Sequence, residues 1–199
     1  MAMAKIRKTL IIAVLAVIGS VCRLSAQTST YLRAQAGYYY ISNAKFPTRY
    51  LTPNQEVYAT DQPYLWTDTE KGGDAIWEIS PVSGDYHNII HTSDSKYILY
   101  NGEGAQAVHI ATTNNPGNNG QFRFWSVTGN ELAIIPLNAS SQSSGANNSF
   151  NPYRGETGII GLYRFDNDQA SRWLLERITA IEQPSISVNT NTGQCTLSY

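Results

Sequence analysis

The sequence predicts an all-β fold, a closed barrel assembled from three repeats of about 48 residues. Three observations carry this reading. Tryptophans recur at Trp77, Trp125 and Trp173, 48 residues apart both times. Each lies in a short run of apolar and β-favouring residues, and turn formers such as Glu70-Lys71-Gly72-Gly73-Asp74 or Asn114-Asn115-Pro116-Gly117-Asn118-Asn119-Gly120 stand before such runs. Helical periodicity is almost absent after the first residues.

The N-terminus reads as a secretory signal. Lys5, Arg7 and Lys8 precede the apolar run from Leu10 to Ile18, with cleavage expected after Ala26, so that residues 1–26 are a signal peptide and Gln27 begins the exported chain. The run is short for a bilayer core of about 30 Å and no later stretch is continuously apolar, so no membrane span is expected. Val21 stands where lipidation of Cys22 needs a small residue, which favours free export over a lipoprotein anchor. The ending Leu24-Ser25-Ala26-Gln27 resembles signal peptides of Bacteroidetes-type bacteria. The chain is therefore expected outside the cytoplasm, secreted or at the cell surface.

Removing residues 1–26 leaves 10 basic and 15 acidic residues, a formal charge of −5. Such a surface repels phosphate backbones, and its basic residues are scattered, so nucleic acid is not expected as a partner. Cys195 alone then remains of two cysteines, so stability must come from an apolar core rather than an internal disulfide.

Within the repeats, first strands are expected at Tyr38-Tyr39-Tyr40-Ile41, His87-Asn88-Ile89-Ile90 and Glu131-Leu132-Ala133-Ile134-Ile135. Second strands follow at Arg49-Tyr50-Leu51 and Lys96-Tyr97-Ile98-Leu99-Tyr100, with no clear third equivalent. Third strands are expected at Tyr64-Leu65-Trp66, Ala107-Val108-His109-Ile110 and Ile159-Ile160-Gly161-Leu162-Tyr163, and the tryptophan segments supply the fourth.

A threefold repeat of four strands with a Trp near each repeat's end resembles the ricin-type β-trefoil lectin family, over residues 31–178 of a domain placed at 27–178. The resemblance implies six strands closing a barrel and six capping one end, with Trp77, Trp125 and Trp173 as core residues around the pseudo-threefold axis. It also implies up to one sugar site per repeat: an Asp after the second strand, an aromatic on the third, and an Asn or Asp three residues before the Trp of a Gln-x-Trp motif. Repeat one has Trp66 and Asp74 in the last two places, but Thr52 in the first and Ala75 for the Gln. Repeat three offers Tyr163 with Asp168 and Gln169 nearby, and Ala170 where the amide or acid belongs. Repeat two, with His109 or Ile110 for the aromatic and Phe122 before its Trp, matches least.

Residues 179–199 fall outside that pattern. Ile181-Glu182-Gln183-Pro184 reads as a linker, and residues 185–199 as two strands about an Asn/Thr/Gly turn, which resembles the opening hairpin of a chitobiase C-terminal-like β-sandwich repeat. A lone hairpin is marginal in water, so a neighbouring β-domain of a longer protein is expected to follow.

Catalytic signatures are weak, and no enzyme, cofactor or metal centre is expected. His87 and His91 stand four apart but in a β-like run, which suggests surface or satisfied structural histidines rather than zinc ligands. Asp166 and Asp168 occupy a loop that needs turn formers in any case, and the twelve-residue calcium-loop pattern is missing. Two functions of different class remain. One is a carbohydrate-binding accessory module of an exported glycan-processing or surface protein, with Trp66 stacking on a pyranose and Asp74 taking hydroxyls. The other is a protein-interaction or spacer trefoil that presents loops such as Asn138–Asn151.

Overall fold

A computed structural model describes residues 31–53, 65–102, 108–111, 114–152, 155, 159–179, 185–188 and 195–198. The expected signal peptide with Cys22, and the linker at 181–184, lie outside the described residues.

The described chain is β-structure without an α-helix. After a short strand β1 (Tyr31–Leu32), twelve strands run in three sets of four. Repeat one supplies β2 (Gly37–Asn43), β3 (Tyr50–Pro53), β4 (Leu65–Asp68) and β5 (Ile76–Pro81). Repeat two supplies β6 (Tyr86–His91), β7 (Tyr97–Tyr100), β8 (Val108–Ala111) and β9 (Phe122–Thr128). Repeat three supplies β10 (Glu131–Pro136), β11 (Ser149–Pro152), β12 (Ile160–Tyr163) and β13 (Trp173–Arg177). The second strand of repeat three, unclear in the sequence, is thus Ser149–Pro152.

First and fourth strands pair antiparallel in the order β2–β5–β6–β9–β10–β13, and β13 returns to β2, which closes a six-stranded barrel. The second and third strands of each repeat form a hairpin, β3–β4, β7–β8 and β11–β12, and β4, β8 and β12 touch one another across the axis. Closure removes the barrel's exposed edges, and the hairpins cover one end of it. This is the trefoil arrangement that the repeat implied. Strand β1 completes a ladder: β6 pairs with β9 at Phe122 and Arg123, and β1 continues the pairing at Phe124 and Trp125.

Period-two alternation fills the interior. The first strands direct Tyr39-Ile41-Asn43, His87-Ile89-His91 and Leu132-Ile134-Pro136 inward in matching registers, and all nine residues are buried. The fourth strands add Trp77 and Ile79, Phe122 and Phe124, Trp173 and Leu175. Trp77 pairs with Tyr39 and His91, Trp173 with Leu132 and Asn43, and Phe122 with His87 and Pro136.

Phe122, not Trp125, is therefore the core aromatic of repeat two, and the equivalent positions are 45 and 51 residues apart rather than 48. Phe122, Trp77 and Trp173 are fully buried, whereas Trp125 is partly buried on the outside of the barrel. The reason is local: in Phe122-Arg123-Phe124-Trp125 the two phenylalanines take the inward places, so alternation turns the tryptophan outward. The indoles of Trp77 and Trp173 also donate to the Leu51 and Phe150 carbonyls of their own second strands, both at 2.8 Å. These bonds tie the cap hairpin to the barrel; a phenylalanine cannot make one.

Trp125 serves a second, smaller core. Ala133 and Ile135 point out of the barrel on β10 yet are fully buried, because Phe165, Trp125, Val127 and Ala139 close over them. The loop between β10 and β11 follows this wall. Asn148 donates to the carbonyls of Ser141 and Ser143, Gln142 donates to Pro136, and Ser144 accepts from the amides of Phe165 and Asp166. Strands β14 (Ser185–Val188) and β15 (Cys195–Ser198) pair antiparallel as a separate two-stranded sheet.

Candidate functional site

Each repeat builds the same corner. A 3₁₀ turn precedes every fourth strand, at Gly73–Ala75, Gly117–Gly120 and Gln169–Ser171, and each turn touches the second strand of its repeat. The hairpin ladder then fixes which third-strand residue belongs to the corner: Thr52 stands opposite Trp66, Leu99 opposite His109, and Asn151 opposite Gly161. Three residues before the core aromatics lie Asp74, Asn119 and Ala170. The three corners are thus Thr52-Trp66-Asp74, Leu99-His109-Asn119 and Asn151-Gly161-Ala170.

Corner one brings together all three candidates named for repeat one. Thr52 is buried at 6% exposure, and the Asp74 side chain is 56% exposed. Asp74 Oδ1 accepts a long bond of 3.5 Å from the Ser93 hydroxyl and lies 3.9 Å from His91 Nε2. The side chain of Trp66 lies outside the described residues; its backbone is set by the ladder with Thr52.

In corner three the candidates separate. Tyr163 is 45% exposed but stands opposite Ser149, two residues along the strand from the position facing Asn151. Asp168 caps its turn by accepting from the Ala170 amide at 3.0 Å and from Asn151 Nδ2 at 3.1 Å. Asn151 also donates to Ser171 Oγ, and Gln169 donates to Glu131, whose other oxygen accepts from Arg172. Asp166 is gripped by both Nε and Nη2 of Arg164, and that hydrogen-bonded guanidinium lowers its pKa from the ordinary carboxylate value. Asp166 and Asp168 are therefore loop-building groups, each already engaged by its own neighbours.

The histidines correct the expectation of surface or satisfied side chains. His87 and His91 do share a face, but it is the barrel interior. His87 is fully buried against Phe124, with ring centroids 4.7 Å apart and neither nitrogen in a hydrogen bond. Burial lowers its pKa from the ordinary histidine value; the nearby Ala34 and Phe122 carbonyls work in the other direction. His91 is held through Nδ1 by Asp94 Oδ1 at 2.8 Å, while its buried Nε2 has no partner. Burial works against ionisation of Asp94, yet hydrogen bonds from Lys96 and His91 outweigh it and hold that carboxyl below its ordinary range.

Sequence reasoning passed over Asn119 and Asn151. Counting back from Trp125 misplaced corner two by three residues; the alternation of Phe122 and Phe124 was the signal that would have corrected it. Asn151 stayed hidden because its strand carries Pro152 and little alternation.

No protein-family model matches the sequence, and no curated protein matches it. Solved structures do. A designed threefold-symmetric protein, ThreeFoil, superposes with a TM-score of 0.59 at 11% identity, covering 71% of this chain and 99% of that one. A Polyporus squamosus lectin bound to a human-type influenza-binding epitope, Neu5Acα2-6Galβ1-4GlcNAc, gives 0.57 at 17%, covering 72% and 50%. A GlcNAcα1-4Gal-releasing endo-β-galactosidase from Clostridium perfringens gives 0.57 at 13%, covering 71% and 32%. The matched fold thus fills nearly all of one chain, half of a lectin and a third of an enzyme. At these identities the likeness speaks to architecture, and with the closed barrel and its three capping hairpins it makes this domain a β-trefoil.

Proposed function

We propose that this chain is an exported, non-enzymatic carbohydrate-binding module that serves as an accessory domain of a larger glycan-processing or surface protein. The observation that supports it best is the make-up of corner one. Of the three equivalent corners, this one alone has both an aromatic, Trp66, across the ladder from the second strand and an exposed carboxylate, Asp74, on the 3₁₀ turn. An indole offers a flat apolar face to a pyranose, and a carboxylate accepts two hydroxyls at once. Corner two has Asn119 but Leu99 facing His109, and corner three has Gly161 and Ala170. A single site at repeat one is the reading we adopt, with Tyr163, Asp168 and Gln169 subordinate to it. Export through residues 1–26 and a following domain after residue 199 belong to the same proposal. One weak site gains strength through neighbouring modules.

The spacer reading gains no support from the loop after β10, which Asn148, Gln142 and Phe165 pack along the barrel wall. A glycan array probed with residues 27–178, and with Trp66→Ala and Asp74→Ala, decides the matter. Binding that both substitutions abolish, with an unchanged circular dichroism spectrum, is the expected result. The absence of any glycan signal at millimolar sensitivity would overturn it.

A further inference from the structure

Strands β1, β6 and β9 meet on the outer wall of the barrel. The alternation that turns Phe122 and Phe124 inward turns Arg123 and Trp125 outward, and the ladders set Tyr86 of β6 opposite Arg123 and Tyr31 of β1 opposite Trp125. Short β1 completes the group: it takes over the edge of β9 where β6 leaves it, and so brings a second tyrosine to the arginine.

The guanidinium carbon of Arg123 lies 4.1 Å from the ring centre of Tyr31 and 4.3 Å from that of Tyr86. Tyr31 in turn stands edge-on to Trp125, with centroids 5.1 Å apart. Attraction between the cation and the negative face of each ring holds the head group without using its hydrogen bonds, since the N–H groups of a guanidinium lie in its plane, at the edge. The arginines of repeat three spend theirs inside the protein: Arg164 on Asp166, Arg172 on Glu131 and two carbonyls, Arg177 on Gln35 and Ala36. Arg123 does not. Among the described residues its side chain has no hydrogen-bond acceptor and no carboxylate in an ion pair; its Nε is buried without a partner, and its two terminal nitrogens are left at the surface.

An arginine fixed in this way has already given up its side-chain freedom and lacks only an acceptor. The acceptor that matches two parallel N–H groups is a carboxylate, planar and bidentate. The surroundings narrow the choice. The formal charge of −5 outside residues 1–26 opposes a dense polyanion, so one carboxylate on an otherwise neutral ligand fits better than a phosphate or sulfate chain. Beside the fork such a ligand meets the tyrosine rings and the partly buried Trp125, apolar surfaces that suit the C–H face of a pyranose.

We propose that Arg123, with Tyr31, Tyr86 and Trp125, forms a second binding site on the barrel wall, for a sugar that carries a carboxylate, such as a uronic acid residue. The site is built by β1, β6 and β9, whereas corner one is built by β3, β4 and the turn before β5, so the two stand or fall separately.

The test is an NMR titration of the full chain, with ¹⁵N-arginine and ¹⁵N-tryptophan labels that read the Arg123 Nε–H and the Trp125 indole. Three ligands share one ring type: methyl β-D-glucuronoside, its methyl ester and methyl β-D-glucoside. Sodium acetate and an acetylated glutamate amide supply the carboxylate without the ring. The acid glycoside is expected to move both signals and to bind about tenfold tighter than the ester or the glucoside, each of which lacks the charge-assisted pair of hydrogen bonds. Acetate and the glutamate amide are expected to bind at least about fivefold more weakly than the acid glycoside. Arg123→Gln should lose the binding and Arg123→Lys, which keeps the charge without the fork, should lose most of it, while Trp66→Ala leaves it unchanged. Equal binding of acid and ester overturns the proposal, and that comparison needs no variant to fold. Acetate or the glutamate amide binding as tightly as the glycoside means a general anion contact and overturns the sugar class. No response at Arg123 to the acid glycoside overturns the second site and leaves corner one standing. A response that persists in Trp66→Ala, in a chain whose glycan-array signals also survive that substitution, supports the second site and overturns corner one instead.

Discussion

Replacing each tryptophan of the three segments by phenylalanine separates core from wall. In Trp77→Phe the buried Leu51 carbonyl loses the indole donor that now lies 2.8 Å from it. Leaving such a group unpaired costs about 1–3 kcal/mol. The smaller ring also leaves a void in a fully buried site, for about 1 kcal/mol more at roughly 24 cal/mol per Å³ of cavity. Trp173→Phe removes the matching bond to Phe150, so both variants should lose about 2–4 kcal/mol. Trp125→Phe should lose less than about 1 kcal/mol, because that side chain is only partly buried and its edge contact with Tyr31 and tilted contact with Phe165 remain open to a phenyl ring. Urea unfolding followed by near- and far-ultraviolet circular dichroism reads the difference. With a slope of about 2 kcal/mol per molar, the midpoint should drop about 1–2 M for Trp77 and Trp173 and under about 0.5 M for Trp125. A Trp125→Phe loss equal to that of Trp77→Phe would refute the assignment of Phe122 as the core equivalent.

Acid should weaken the domain through His87. Its folded pKa is lowered by burial, so below the unfolded value of about 6.5 the unfolded chain binds the proton first and stability falls by up to about 1.4 kcal/mol per pH unit, until the folded ring also protonates. The contribution is fully present above that range. Unfolding free energies measured across pH 5 to 8 should show this fall, and His87→Leu, which copies the equivalent Leu132, should remove it; an equal fall in the variant would assign it elsewhere. Asn148→Ala strips the donor from the Ser141 and Ser143 carbonyls and should cost about 2 kcal/mol, at about 1 for each hydrogen bond. It should also speed hydrogen exchange at the Phe165 and Asp166 amides, which both donate to Ser144; unchanged protection there would mean that the loop is held without Asn148.

The sequence by itself determined the fold class, the threefold repeat and most of the strands. Those properties follow from turn chemistry and side-chain alternation, which act over neighbouring residues. Gly73, Gly117 and Gly129 mark bends, and Tyr39-Ile41 or Ile89-His91 keep the period of two that a barrel wall imposes. Corner one was legible for the same reason, since Trp66 and Asp74 stand at fixed short distances before Trp77. Only tertiary structure decided the register among the repeats, because it depends on which residue faces which across a ladder. There the inward places of Phe122 and Phe124 prevailed over an equal spacing of tryptophans. Tertiary structure also decided that Ala133 and Ile135, apparently facing solvent, are buried under Phe165, and that His91 reaches Asp74 from the next repeat. Such contacts join residues many positions apart, and their energies lie in burial and pairing that no local pattern records.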